Sequence, residues 1–237
     1  MSDAQQRLDR IVEWMQRVGD PWMRDEQNTR PQPGSDLAAD DAPGPASSPI
    51  AHRGIVMAFD HLGAVVDAVV REPPQRLKAY FTLLRTALEC GVRVCWLLES
   101  DTSTERQLRA TRYRYENLEE QRKAIAEMAG THLIGETDEI RQHSLMLIGE
   151  QRTALADRAS ALGAHKLEKP PDTLSMIRKW VDLNSFEVTA FVQLWRTGSA
   201  SAHGHFWVDE MRDNPRNSTM RGFNLPFKAP CSSSTMQ

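Results

Sequence analysis

Apolar residues recur every three or four positions through most of this chain, a spacing that predicts helices almost throughout. Leu8, Ile11, Val12, Trp14 and Met15 mark a short amphipathic helix from Gln5 to Val18, ending near Gly19-Asp20-Pro21. From about Arg24 to Ile50 the pattern lapses. That stretch is rich in Pro, Asp, Ser, Ala and Gly and nearly free of large apolar side chains. It buries too little surface to offset the entropy of ordering and reads as a flexible linker over 21–50. Periodicity resumes near Ala51. Ile55, Val56, Phe59, Leu62, Val65, Val66, Val69 and Val70 share one stripe of a helix from His52 to Val70, closed by Glu72-Pro73-Pro74.

A second helix runs to about Glu99 through Tyr80, Phe81, Leu84, Leu88, Val92, Cys95, Trp96 and Leu98. Thr102 with Glu105 matches a capping box that opens a third helix through Ala129, with Gly130 beyond it. A long charged pattern follows from Glu136 to Leu162 and stops at Gly163. Lys169-Pro170-Pro171-Asp172-Thr173 breaks the chain, and a short helix spans Leu174 to Val181. Asn184 or Ser185 then caps a last helix that carries Phe186, Val188, Phe191, Val192, Leu194 and Trp195 into Arg196 and His203. The predicted fold is all-α, a mainly antiparallel bundle of four or five long helices. It divides into an N-terminal helix (1–20), the linker (21–50), the bundle (51–213) and an irregular tail (214–237).

Composition adds few constraints. At 40% apolar and 26% charged residues with a net charge of −3, the chain has the balance of an ordinary globular protein. Cys90, Cys95 and Cys231 form neither a disulfide framework nor a metal spacing, so a reducing, cytoplasmic setting is expected. No apolar run has the length of a signal sequence or a membrane span, so no membrane association is expected. Positive charge gathers in the middle of the chain, and a polyanion would meet it there.

Three constellations carry candidate chemistry. Arg196, Ser199 and His203 fall on one helical stripe, with the outer two about 10 Å apart, and can converge on one phosphate. Arginine stabilises the charge of a crowded phosphorane, and histidine moves protons near neutral pH, so no metal is required. The surrounding Gly198, Ala200, Ser201 and Ala202 also suit a close helix-packing surface. Arg85, Glu89 and Arg93 stand at four-residue steps on an apolar helix, as a paired, solvated edge or as a group that positions Arg196 and His203. Arg106, Arg109 and Tyr113 share a face that is either solvated or able to contact RNA phosphates and stack bases. His203 and His205 would point to different sides of a helix, and nothing in the pattern calls for a metal or a cofactor.

The arginine, six intervening residues and histidine near the end of an all-helical domain resemble the R-x(4-6)-H signature of the HEPN superfamily. Thr197 stands where that signature often has Asn, Asp or His. Leu83-Leu84-Arg85-Thr86-Ala87-Leu88-Glu89, then Val94-Cys95-Trp96-Leu97-Leu98, Arg106, Arg109 and the Ser199-Ala200-Ser201-Ala202-His203-Gly204 element also resemble a group of uncharacterised, all-helical actinobacterial proteins. The HEPN resemblance implies a metal-independent endoribonuclease of a defence or toxin system, RNA as substrate, a homodimer and an antitoxin partner. A non-catalytic binding or scaffolding bundle and a sensor of a small anion such as a nucleotide are the alternatives. The scaffold predicts internal partners for Arg196 and His203, such as Glu89, Trp195, Phe206 or Trp207. The sensor predicts a pocket too small for a polynucleotide.

Overall fold

Thr102 starts its helix as the capping pattern predicts, its hydroxyl accepting the Glu105 backbone N–H at 3.3 Å. Only this half of the box forms, because the Glu105 carboxylate turns to Arg109 and Arg112. The computed structural model of the chain describes residues 3–25, 30–42, 47–70, 77–128, 138–180 and 186–213, and every regular element in them is helical. The expected boundaries at Glu72-Pro73-Pro74, Gly130 and Asn184 or Ser185, the tail after Asn214 and Cys231 lie outside these residues.

The long helices read from periodicity are α4 (Ser47–Val70), α5 (Leu77–Leu98), α6 (Ser103–Glu127), α7 (Asp138–Ala161) and α9 (Phe186–Ala202). The shorter ones are α1 (Asp3–Trp14), α2 (Asp20–Arg24), α3 (Asp36–Asp41), α8 (Thr173–Trp180) and α10 (Trp207–Asp213). α5 packs between α4 and α9, and both neighbours approach it through glycine. A Cβ on Gly54 of α4 would stand 2.5 Å from Val94 Cγ2, and one on Gly198 of α9 would stand 2.4 Å from the Phe81 carbonyl oxygen. α9 runs antiparallel to α5: Trp195 lies beside Arg85, Gly198 against Phe81, and the Ser201 hydroxyl donates to the Lys78 carbonyl.

Two apolar clusters follow from this packing. Ala51, Trp96, Leu97, Ala110 and Met176 join α4, α5, α6 and α8. Leu118, Ile148 and Leu155 join α6 to α7, with Tyr115 and Ile125 at the margin. The α6–α7 pair is antiparallel, as two polar bonds along the contact require: Arg158 donates to Gln107 at 2.6 Å and Arg152 to the Tyr115 hydroxyl at 2.7 Å. No described helix is long and apolar enough to cross a membrane.

The first 50 residues depart from expectation in two ways. The N-terminal helix does not stop near Gly19-Asp20-Pro21. A π turn over Met15–Gly19 follows α1 and leads directly into α2, with the Asp20 N–H reaching back to the Met15 carbonyl. Proline lacks an N–H and its ring crowds the carbonyl four residues back, and the widened turn just before it lets the rod continue. This rod docks on α4. Met15 is buried, and the Trp14 and Trp22 rings lie 5.8 and 5.5 Å from Phe59.

The expectation of a flexible linker over 21–50 also gives way among the described residues, which include α2, α3 and the start of α4. Ser35 caps α3 by accepting the Ala38 N–H at 3.3 Å. Asp40, fully buried, takes Arg106 Nε at 2.5 Å and Nη2 at 3.2 Å together with the Ser103 hydroxyl. Asp41 accepts the Ser48 N–H at 3.1 Å. A segment poor in apolar residues is thus held by a buried ion pair and hydrogen bonds, an anchor that hydrophobic periodicity does not register.

Candidate functional site

The end of α9 is shaped by a C-terminal glycine cap. The Gly204 N–H donates to Ser201 O at 3.4 Å and the His205 N–H to Ala200 O at 2.8 Å, with Gly204 at φ +70°. This is a Schellman motif, and its left-handed residue explains why glycine follows His203. The His203 N–H still bonds to Ser199 O at 3.1 Å, so the helical register extends through His203 and keeps Arg196, Ser199 and His203 on one stripe.

Arg196 and His203 are exposed and Ser199 is half-buried. Among the described residues neither Arg196 nor His203 has a side-chain hydrogen bond or ion pair. The ring contact of His203 is with His205, centroid to centroid at 6.2 Å. The neighbouring small residues are differently employed. Gly198 and Ala200 are buried, Gly198 against Phe81 and Arg85, so the close approach they permit is made to α5 of the same chain.

The Arg85, Glu89 and Arg93 stripe divides between two neighbours. Arg85 lies over the Trp195 ring at 5.3 Å and so does meet α9, on the residue next to Arg196. Glu89 faces elsewhere: it takes Arg93 at 2.9 Å, Arg85 at 3.4 Å and the Thr173 hydroxyl of α8 at 3.1 Å. Burial opposes the Arg93 charge, but Glu89, a hydrogen bond with Tyr113 and nearby Glu116 outweigh it and raise its pKa above the ordinary value. The stripe therefore joins α5 to α6, α8 and α9. The Arg85 Nε and Trp195 Nε1 atoms are buried without acceptors.

Arg106 and Arg109 share a face, as the spacing requires, but that face points inward. Both are buried. Arg106 binds Asp40 and donates to Ser100 O at 2.7 Å, and the Asp40 hydrogen bond, working against burial, raises its pKa. Arg109 pairs with Glu105 at 3.0 Å, lies over the Trp96 ring at 5.4 Å and donates to the Trp96 carbonyl. Tyr113 is half-buried beside Arg93. The three do not make an open track for a polynucleotide.

No family model, curated protein or solved structure matches the chain. The candidate chemistry therefore rests on the side chains themselves. Burial raises the pKa of both the Cys90 and Cys95 thiols, which disfavours thiolate chemistry at either. Among the described residues no three His, Cys, Asp or Glu side chains are grouped to hold a metal ion.

Arg112 belongs to the basic, aromatic stretch that also holds Arg106, Arg109 and Tyr113, whereas sequence did not mark Lys166 and Lys169 as site residues. Arg112 and the two lysines gather beside one another only because Gly163, at φ +87°, turns the chain back along α6. A glycine at the end of a helical pattern, followed by closely spaced lysines, is the signal that marks such a return.

Proposed function

We propose that this chain is a HEPN-like helical protein whose α9 terminus acts on an RNA phosphodiester without a metal. The observation that carries the reading is the exposure of Arg196 and His203 on one helical stripe without an internal hydrogen bond or ion pair among the described residues. Arg85, Arg93, Arg106 and Arg109 are engaged within the protein, whereas this pair is open to a ligand.

In this reading His203 exchanges a proton with the 2′-hydroxyl or the leaving oxygen. Arg196 stabilises the charge that develops on the phosphorane, and Ser199 orients the phosphate. Arg85 acts indirectly, fixing Trp195 and so the rotation of α9. A homodimer and an antitoxin partner belong to the same reading through the resemblance alone.

Purified protein should cleave labelled total RNA in EDTA, and both Arg196→Ala and His203→Ala should abolish cleavage while retaining the wild-type circular dichroism spectrum. No cleavage by the wild type, or equal cleavage by all three, moves the assignment to a non-catalytic helical binding protein. One observation favours that second reading: Ile11, Trp14 and Val18 form an exposed apolar row along the N-terminal rod.

A further inference from the structure

Two adjoining cavities of about 440 and 370 Å³ form a trough between α6 and the 162–169 segment that follows α7. Arg112, Lys166 and Glu168 line both. Gly163 shapes the trough by ending α7 in a Schellman turn, with the Gly163 N–H on Ser160 O and the Ala164 N–H on Ala159 O, each at 2.9 Å. These bonds cap the last carbonyls of α7. The first turn of α6 lines the cavity at Thr102 and Thr104; the Thr102 hydroxyl takes the Glu105 N–H, and the Ser103 and Thr104 N–H groups have no intrahelical acceptor.

The trough is lined by five carboxylates, Glu105, Glu116, Glu119, Glu120 and Glu168, against Arg112, Lys166 and Lys169, and three of the five are paired with cations outside it. Glu105 is paired with Arg109 at 3.0 Å, Glu119 with Arg122 at 2.8 Å and Arg152 at 3.1 Å, and Glu120 with Lys123 at 2.8 Å. Glu116 has no ion pair among the described residues and attracts Arg93 only at longer range. The cations are less engaged. Arg112 reaches Glu105 only at 3.6 Å, and its Nε is buried without an acceptor. Lys166 and Lys169 have no ion pair among the described residues, and Glu116 and Glu168 are the carboxylates of the lining left to oppose them and Arg112. The volume suits a small molecule, and a polyanion chain would not be enclosed.

We propose that this trough binds a small phosphorylated molecule, with its phosphate groups held by Arg112, Lys166 and the first turn of α6. The site is separate from the Arg196 and His203 pair and does not depend on the function proposed for that pair. Calorimetric titration of the full chain with inorganic pyrophosphate should show saturable binding of one molecule per chain. Arg112→Gln and Lys166→Glu should each weaken it about tenfold or more, as loss of a charge-assisted contact does. Arg196→Ala and His203→Ala should leave it unchanged. Lys166 is exposed, so Lys166→Glu decides the matter even if Arg112→Gln fails to fold. Absence of saturable binding, or unchanged binding in Lys166→Glu, overturns the proposal. Loss in Arg196→Ala with retention in Lys166→Glu also overturns it, by assigning the phosphate to the end of α9.

Discussion

Gly198→Ala isolates the contact that holds α9 on α5. A Cβ there would stand 2.4 Å from Arg85 Cβ and 2.4 Å from the Phe81 carbonyl oxygen, against an ordinary contact of 3.4–4 Å. Neither neighbour is the free end of a flexible side chain, so relief requires the two helices to part by about 1 Å. Overpacking of this kind costs about 1–3 kcal/mol, and two simultaneous clashes with rigid atoms place the cost toward the upper end. The better helix propensity of alanine returns about 1 kcal/mol. The net loss of about 2 kcal/mol should lower Tm by about 4–8 °C for a domain of this size. Gly149→Ala is the matched control, because its Cβ would meet nothing within 4 Å on an exposed face of α7. It should gain about 1 kcal/mol and raise Tm by about 2–4 °C. Thermal unfolding followed by circular dichroism reads both. A Gly198→Ala protein as stable as wild type, or two variants shifted in the same direction, would refute the packing described for α5 and α9.

Asp40→Ala should cost about 3–5 kcal/mol in urea unfolding, because it strands the buried Arg106 guanidinium; it should also open residues 30–42 to limited proteolysis, and an unchanged midpoint would count against the anchor. Acid unfolding should depend on Glu119, whose carboxyl is held at about 2 chiefly by the Arg122 hydrogen bond, against burial, with Arg152 and Lys123 adding their charges. Its folded pKa lies below the unfolded value of about 4.3, so its stabilisation is present above that pH and is lost as pH falls toward 2. Wild type should therefore lose more stability than Glu119→Gln across that window, and parallel pH profiles would contradict this.

Helix positions were legible because apolar spacing is a local property, and α4, α5 and α6 fall close to where it places them. Which face turns inward was less legible. Arg106, Arg109 and Tyr113 do share one side of α6, but a basic side reads as a solvated or polyanion-binding surface until its acids are located. Asp40, Glu99 and Glu105 bring those acids from three places in the chain. The same limit hid α3, since its anchor joins positions 40 and 106 and leaves no periodic trace. At the candidate site the stripe of Arg196, Ser199 and His203 was readable from helical geometry. The use of Gly198 against α5 was not, because a run of small residues does not reveal whose backbone it admits.

The position of α5 between α4 and α9 also bears on how the chain acquires its structure during synthesis. α4 precedes α5 directly and can cover one side of it at once, whereas α9 begins only at Phe186, after α6, α7 and α8 have been made. Until then the groove at Phe81 and Arg85 that receives Gly198 has no occupant from the chain itself. Closing it requires a contact between distant segments, the slow kind that carries a large loop-closure cost. A ribosome-bound intermediate ending before α9 would display that apolar side of α5 to chaperones or to other nascent chains, and arrival of the last long helix would withdraw it.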